Sequence, residues 1–349
     1  METFGHQPAG NKISKVRWQN GQNFTDTELL FATGSWDEGK DNLLKLWSCE
    51  APGIPRDDVK DYKAIEQARI SHLGDVTDIH FLEEELILTA SSFGSAHLFR
   101  IVKDETEKAE CALEHCKTLP LHKYTTGSAA SCTGLAVQPF SGSDGEVVSC
   151  GEDGKINLFN INEDQPRETI AADGMSLNSI AWISSHIIAT TTNGGQLKLY
   201  DLRDFRKPSA IYSDSSNQNV ALTCMAIHPS QANKLCTGSA NGHITTWDLR
   251  NQEIPESSPF SVHSSYVWEV KYHPNQPNKI LSCSNDGMCA ILSYQQEKDQ
   301  YGYYTDDTPT YQKLSSVFNP LSINSIDYHA NANLLLGGND SESLLWYFE

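Results

Sequence analysis

One short segment carries side chains that could bind a metal ion. Cys111, His115, Cys116 and His122 follow one another within residues 111–122, and thiolates and imidazoles are ligands that zinc prefers in proteins. Their spacings match neither the paired Cys-x-x-Cys pattern nor the Cys/His patterns of zinc sites. We therefore expect no metal here, and nothing else in the sequence indicates a cofactor.

Catalytic motifs are equally scarce. The sequence lacks a glycine-rich phosphate loop, a Gly-x-Ser-x-Gly elbow and a His-Glu-x-x-His motif. His72 and His263 each precede an apolar segment, and Ser282 and Asp286 follow His263. We interpret both histidines as structural residues that bond to the Asp of a turn and the Ser of a strand, because buried polar groups must be satisfied. The sequence thus predicts a protein that is not an enzyme.

The segment Asn233–Arg250, NKLCTGSANGHITTWDLR, indicates the elements that carry these residues. It reads as two strands joined at Asn241-Gly242, a dipeptide that favours a hairpin turn with positive φ at both residues. The six-residue strand pattern just upstream of this segment, LTCMAI, occurs seven times in the sequence. The starts of successive copies are 63, 56, 45, 45, 45 and 56 residues apart. A period near 45 with a Trp-Asp ending is typical of WD repeats. We predict an all-β, seven-bladed propeller with four-stranded antiparallel blades. The copies are ISKVRW, VTDIHF, CTGLAV, LNSIAW, LTCMAI, VWEVKY and INSIDY.

Residues 1–349 are expected to form this propeller as a single domain, with inserts at about 48–62, 103–130 and 295–320. The last copy ends after its third strand, so residues near Glu2–Gly5 should add the missing outer strand to the seventh blade and close the ring. The second insert should supply an outer strand. The third is rich in tyrosine and acidic residues, and two interpretations stay open: a docking element, or an outer strand with a mobile hairpin.

Composition limits the partners and the compartment. The chain has 26 Lys and Arg against 45 Asp and Glu, a net charge of −19. This charge argues against direct contact with nucleic acid or an anionic membrane and favours partners with basic surfaces. Nine cysteines, most of them in predicted strands, indicate free thiols in a reducing compartment. Without an apolar run of membrane-spanning length or an apolar signal core, we expect the cytosol or the nucleus.

Five residues are candidates for partner binding, because they flank the start of a first strand or precede a turn: Trp36, Glu152, Tyr266, Trp268 and Asn285. Trp268 stands out, because its counterparts are small or polar. A Trp in such a row suggests an interface anchor; the alternative is packing that fills the central channel. Those counterparts are Ser14, Thr77, Thr133, Asn178, Thr223 and Asn324.

The ordered motifs resemble one known family. KISKVRW, FATGSWD and LLKLWS are followed by HLGDVTDIHF, CTG, GEDGKINLF, GQLKLYDLR and YVWEVKYHP. This set, from about Lys12 to Tyr294, looks like that of the forty-three-kilodalton nucleoporin family, the small WD-repeat subunits of the Y-shaped nuclear pore scaffold. The N-terminal pair KISKVRW and FATGSWD is its most specific part.

The resemblance implies a seven-bladed propeller that is a non-catalytic scaffold in the outer ring of the nuclear pore complex. Its implied partners are other Y-complex nucleoporins, foremost an α-solenoid subunit of the short arm, without direct binding of nucleic acid or membrane insertion. Support for pore assembly and for protein and mRNA transport is also implied. The implied locations are the nuclear pore and, in mitosis, the kinetochore.

A second function stays open. The segments YDLR, ending at Arg203, and WDLR, ending at Arg250, fit the Trp-Asp-x-Arg box of substrate receptors for cullin-type ubiquitin ligases, the first with Tyr for Trp. In those receptors the arginine contacts the adaptor, so this alternative assigns Arg203 and Arg250 to adaptor binding.

Overall fold

The strands of the chain form seven sheets arranged as a ring. The structure is a computed structural model that describes residues 2–3, 5–19, 28–37, 42–50, 63–83, 85–103, 111–140, 145–214, 219–251, 259–294, 309–315 and 321–348. Each sheet is a blade of four antiparallel strands, joined in one blade by a fifth. The described residues contain no helix, and the predicted seven-bladed all-β propeller is confirmed.

The first two strands, β1 (Glu2–Thr3) and β2 (Gly5–Pro8), belong to the last blades; the strands that follow build blades 1 to 4 in chain order. Blade 1 has β3 (Ile13–Trp18), β4 (Glu28–Ser35), β5 (Leu43–Glu50) and β6 (Ala64–Ser71). Blade 2 has β7 (Val76–Glu83), β8 (Leu86–Ser91), β9 (Ser95–Lys103) and β10 (Cys111–Pro120). Blade 3 has β11 (Cys132–Val137), β12 (Glu146–Gly151), β13 (Lys155–Asn160) and β14 (Glu168–Ala171). Blade 4 has β15 (Leu177–Trp182), β16 (Ile187–Thr192), β17 (Gln196–Asp201) and β18 (Ala210–Ser213).

Blades 5 to 7 complete the ring. Blade 5 has β19 (Leu222–Ile227), β20 (Lys234–Ser239), β21 (His243–Asp248) and β22 (Phe260–Ser261). Blade 6 has β23 (Val267–Tyr272), β24 (Lys279–Ser284), β25 (Met288–Ser293) and β26 (Thr310–Ser315), and β1 is its fifth strand. Blade 7 has β27 (Ile323–His329), β28 (Leu334–Asn339) and β29 (Ser343–Phe348), and β2 is its outer strand.

The N-terminal residues close the ring, as predicted. β2 pairs antiparallel with β29, with Gly5 opposite Trp346 and Pro8 opposite Ser343. The expectation that Glu2 also joins blade 7 was wrong: because Gly5–Pro8 already occupy the edge of β29, β1 runs to blade 6 and pairs in parallel with the end of β26. Residues 2–3 and 5–8 thus join two neighbouring blades.

The apolar core is divided among the gaps between neighbouring blades. Within the described part of the chain, each of the seven gaps holds one cluster of buried apolar residues. Between blades 7 and 1, for example, the ring of Phe31 lies 6.1 Å from that of Trp47 and 5.6 Å from that of Trp346. The first strand of every blade contacts the first strand of the next around the whole ring. These strands therefore line a central channel.

The turn at Asn241-Gly242 differs from its prediction. Only Gly242 has a positive φ, of 88°, and its N–H donates to the carbonyl oxygen of Ser239. The loop therefore has three residues, an ordinary turn followed by a left-handed glycine. A Cβ at Gly242 would collide with the carbonyl oxygen of His263, which explains the glycine.

The inserts are described in part. The second insert supplies β10, the outer strand of blade 2, as predicted, and the third supplies β26. The third strand of blade 1 continues through Ser48 to Glu50, so the loop of the first insert begins later than expected. The remaining insert residues, 51–62, 104–110, 295–308 and 316–320, lie outside the described residues, and so do most of the tyrosines of the third insert.

Candidate functional site

The face at which the first strands begin, here called the front face, is built from one repeated hydrogen bond. In every blade the residue after the second strand donates its backbone N–H to the carbonyl oxygen of the residue just before the first strand, over 2.9 to 3.3 Å. Seven equivalent residues therefore surround the channel, and we call them the rim ring. The rim ring consists of Trp36, Ser92, Glu152, Asn193, Ala240, Asn285 and Asp340.

A second ring lies one layer deeper and explains the row of small polar residues. In six blades the second residue of the first strand donates from its side chain to the backbone carbonyl of the first residue of the next blade's first strand, over 2.5 to 2.8 Å. Six blades share this bond, so these side chains connect the blades around the channel. This channel ring consists of Ser14, Thr77, Thr133, Asn178, Thr223 and Asn324, with Trp268 in the seventh place.

Trp268 makes the connection in a different way. Its Nε1–H donates to Oγ of Ser322 in blade 7 at 2.8 Å. Its ring centroid lies 4.5 Å from that of Tyr266 and 6.1 Å from that of Trp36. We call these three side chains the aromatic cluster; all are half-buried. Trp268 thus packs at the channel wall, and its role as an interface anchor stays a prediction.

The structure brings four of the five predicted partner residues to one cavity. Trp36, Glu152, Tyr266 and Trp268 line the front mouth of the channel, a cavity of about 500 Å³. Asn285 lies on the rim ring but not in the cavity wall; its side chain is exposed and donates to Oγ of Ser265 at 3.2 Å. These residues are far apart in the sequence. They meet here because equivalent positions of all the blades lie around the same end of the channel.

The back half of the channel contains a charge network that the sequence analysis missed. Glu269, only 6% exposed, accepts hydrogen bonds from Nζ of Lys15 at 2.8 Å and from Nη2 of Arg17 at 2.7 Å. Nη2 of Arg17 also reaches Oδ1 of Asp78 at 3.2 Å, and Oγ of Ser325 donates to Glu269 at 2.8 Å. We call these five residues the seam network, because their bonds join blades 6, 7, 1 and 2. They occupy positions that the repeat pattern treats as variable.

The opposite charges in the seam network stabilise one another. Burial alone would raise the pKa of Glu269, but the charges of Arg17 and Lys15 hold that pKa far below its usual value. Burial also opposes ionisation of Asp78, whose pKa is held low by His80 and Arg17. Both carboxylates are therefore ionised at neutral pH and act as acceptors.

The histidines are structural, with one departure from the prediction. His263 bonds to Oδ2 of Asp286 at 3.1 Å and to Oγ of Ser282 at 2.8 Å, as expected. His72 instead bonds to the carbonyl oxygen of Gly74 and to the hydroxyl of Thr89, because the turn of its own blade, SSFG, contains no Asp.

The segment considered for metal binding is divided between two blades. His122 is buried, and its ring nitrogens bond to Asp153 at 2.8 Å and Ser149 at 2.9 Å, as in the His263 arrangement. His115 lies on the outer strand β10, where its Nε2 bonds to Oγ1 of Thr118 at 2.9 Å. His122 is therefore a third structural histidine, which its place before a first strand could have indicated.

The two arginines of the adaptor alternative lie on the opposite, back face, in loops after the third strands of blades 4 and 5. Each is exposed and bonded to the carboxylate two residues before it: Arg203 to Asp201 at 2.6 Å, and Arg250 to Asp248. The Asp-x-Arg spacing is therefore explained by an ion pair inside each loop.

Exposed apolar side chains are concentrated on the front face. Among the described residues, five large ones lie in its loops, three on outer strands and one, Phe140, on the back face. The front-face group is Leu73, Phe93, Tyr124, Met175 and Leu321, and the outer-strand group is Ile65, Ile211 and Tyr311. The described residues include no helix that could cross a membrane.

Comparison with known proteins assigns the family. The family model described as Nucleolar protein 10-like, N-terminal domain, matches residues 132–348, and blades 3 to 7 therefore carry that β-propeller domain. Nucleoporin Nup43 of Mus musculus is 32% identical over 298 residues, which cover 82% of this chain and 75% of the mouse protein. Nucleoporin Nup43 of Homo sapiens is 33% identical over 296 residues, with the same coverage. The chain belongs to the Nup43 nucleoporin family. The family predicted from the ordered motifs is thus confirmed.

An enzyme also stands among the more distant relatives of this Nup43 family member. Human diphthine methyltransferase is 26% identical over 229 residues, 62% of this chain and 47% of that protein. Carboxylates do converge in the channel, but a general acid at neutral pH needs a raised pKa. The pKa values of Glu269 and Asp78 are lowered instead. These two carboxylates are therefore unsuited to act as general acids, and the similarity to the Nup43 nucleoporins favours a structural, non-catalytic role.

Proposed function

We propose that the protein is a non-catalytic scaffold subunit of the Y complex, the outer ring of the nuclear pore complex, and binds other nucleoporins through its propeller surface. The observation that carries the proposal is the similarity to Nup43 over 82% of the chain. The proposed partner is an α-solenoid subunit of the short arm. Direct binding of nucleic acid or insertion into a membrane is not part of the role, in keeping with the net charge of −19.

The proposal extends to cell biology and to the chain as a whole. Residues 1–349, with the three inserts, would act as one domain. The protein would reside at the nuclear pore, support pore assembly and the transport of protein and mRNA, and associate with kinetochores in mitosis. Imaging of the tagged chain through the cell cycle tests both locations.

The front face supports the scaffold role as the main docking surface. It combines the five exposed apolar side chains with the aromatic cluster at the channel mouth. Aromatic residues are enriched where interfaces are buried. The outer strands expose fewer such side chains, and they provide a matched comparison.

A co-purification experiment tests this proposal. The full chain is tagged in cells as the wild type, as a front-face triple variant (Leu73→Ser, Phe93→Ser, Met175→Ser) and as an outer-strand triple variant (Ile65→Ser, Ile211→Ser, Tyr311→Ser). We expect the front-face variant to recover Y-complex nucleoporins at least about tenfold less well, the effect of losing roughly 1.4 kcal/mol of binding free energy. The outer-strand variant should recover them like the wild type, and quantitative mass spectrometry measures both.

Three other outcomes have a defined meaning. A wild-type chain that recovers no nucleoporins contradicts the scaffold function. Equal loss in the two triple variants contradicts the front face as the docking surface. Recovery of a ubiquitin-ligase adaptor that disappears with Arg250→Ala would replace the scaffold with the receptor alternative.

A further inference from the structure

We propose that the front mouth of the channel binds the side chain of an arginine presented by a partner protein. This inference rests on the proposed scaffold function for the identity of the partner, and it adds the chemistry by which the partner is recognised. The site is the cavity of about 500 Å³ described above.

One wall of this cavity is aromatic. Trp36 from blade 1 and Tyr266 and Trp268 from blade 6 lie edge to face or tilted toward one another, with ring centroids 6.1 and 4.5 Å apart. The hydrogen bond from Trp268 to Ser322 fixes the ring of Trp268. Fixed aromatic faces attract a cation through their quadrupoles, and a planar guanidinium can also stack on them.

A carboxylate stands next to this wall. Oδ1 of Asp340 accepts hydrogen bonds from Nε1 of Trp36 at 3.0 Å and from Nδ2 of Asn324 at 2.7 Å. Asp340 does not line the cavity itself, but these two bonds hold its carboxylate beside the indole N–H of Trp36 and the amide of Asn324, which both do. A half-buried carboxylate beside aromatic rings is a strong partner for a guanidinium.

Two other carboxylate residues line the cavity itself, and Oδ1 of one of them, Asp75, accepts hydrogen bonds from the backbone N–H of Asp37 and from Nδ2 of Asn42, both at 3.0 Å. Asp75 lines the cavity at blade 2, and Glu152 lines it at blade 3. Oε2 of Glu152 accepts hydrogen bonds from Tyr124 Oη at 2.9 Å and from the backbone N–H of Ser131 at 3.5 Å, which holds the side chain at the rim. The lining of the mouth thus includes carboxylate residues at blades 2 and 3 and aromatic rings at blades 1 and 6.

The positive charges nearby do not cancel this potential. Lys15 also lines the cavity, but its Nζ points down to Glu269 in the seam network. Lys12, on the rim side, pairs with Asp37 at 2.5 Å. Below the rim, the channel ring presents neutral hydroxyl and amide groups, which suit the polar tip of a side chain. A net charge of −19 attracts a basic segment from a distance.

Arginine fits this site better than lysine. Its fork of N–H donors can reach a carboxylate while its plane stacks on an indole, whereas an ammonium is a compact and strongly hydrated charge. The exposed apolar side chains around the mouth, such as Leu73 and Leu321, can pack the neighbours of that arginine.

A direct binding experiment tests the site without any partner. The purified full chain is labelled with 5-fluorotryptophan, and its fluorine NMR signals are assigned by substitution. N-acetyl-arginine amide is the probe, N-acetyl-citrulline amide is its neutral match, and N-acetyl-lysine amide carries the other cation. We expect saturable shifts of the Trp36 and Trp268 signals with the arginine probe, at least about fivefold weaker binding of the lysine probe, and no shift with citrulline.

Variants separate binding from folding. Asp340→Asn with Glu152→Gln should weaken arginine binding by about tenfold, while Asp204→Asn with Glu163→Gln, a matched loss of two carboxylates elsewhere, should not change it. Trp268→Phe keeps an aromatic face and should retain binding, read from the Trp36 signal, whereas Trp268→Leu should lose it. Melting temperatures confirm that each variant is folded.

The result can overturn the inference in three ways: no shift with arginine, an equal response to citrulline or lysine, or binding that survives the paired carboxylate substitution. The scaffold function is judged separately, by recovery of nucleoporins with the wild-type chain. If nucleoporins are recovered but the arginine probe does not bind, only this inference fails.

Discussion

The blades form two halves of the ring that differ in the side chains they present to the channel. One half presents charged and polar side chains, and the other presents small neutral ones. At the third and fifth positions of their first strands, blades 3, 4 and 5 have only small side chains. Blades 6, 7, 1 and 2 have charged or polar side chains at the same positions. The small set is Gly134, Ala136, Ser179, Ala181, Cys224 and Ala226. The other set is Glu269, Lys271, Ser325, Asp327, Lys15, Arg17, Asp78 and His80.

The difference coincides with the place where the ring closes. Blade 7 is assembled from both ends of the described chain, because β2 pairs with β29, and residues 9–12 lead from β2 into blade 1. There the seam network adds ion pairs across the interfaces, whereas blades 3 to 5 rely on the channel ring and the apolar gaps. A buried ion pair adds little net stability but makes the loss of one partner costly. The two halves should therefore respond differently to substitution.

The largest effect is expected from Glu269→Gln. The substitution leaves Arg17 and Lys15 without their main counter-charge in a buried site, which should lower the free energy of unfolding by about 3–5 kcal/mol. Ser179→Ala, at the same register in blade 4, should change it by less than about 0.5 kcal/mol. Urea denaturation measures both, and similar values for the two variants would remove the distinction between the halves.

The same carboxylate should make stability depend on acid pH. The pKa of Glu269 is lowered from its usual 4.5 in the folded state, so its contribution is present above pH 4.5 and is lost as the pH falls further. The free energy of unfolding should then decrease by up to roughly 1.4 kcal/mol per pH unit for this group. Urea denaturation at pH 5 and pH 3.5 should give a shallower decline in Glu269→Gln than in the wild type. Equal declines would show that Glu269 does not titrate this way.

The smallest effect concerns the neutral half. Thr223→Val removes the hydroxyl that donates to the carbonyl oxygen of Val267 at 2.6 Å and should cost about 1 kcal/mol. Thr126→Val, in an exposed loop, should have no measurable effect. A cost for Thr223→Val as large as that of Glu269→Gln would mean that both halves depend equally on polar bonds.

The repeat pattern was enough to predict the blades, because apolar spacing and turn residues recur in every copy. It also placed Trp36, Glu152, Tyr266 and Trp268 near one another, since equivalent positions of a ring share one face. It could not predict the seam network, because ion pairs form between residues up to 254 positions apart and nothing in the repeat marks them. The turn of Asn241-Gly242 was misread because the dipeptide does not reveal the length of its loop.

The pairing of Gly5–Pro8 with Ser343–Phe348 has a consequence for biosynthesis. The strand that completes blade 7 leaves the ribosome among the first residues described here, and its partner leaves among the last. Six blades can be translated while this strand has no sheet edge to join. Ring closure must therefore wait until β29 has left the ribosome, and until then β2 lacks its native partner strand.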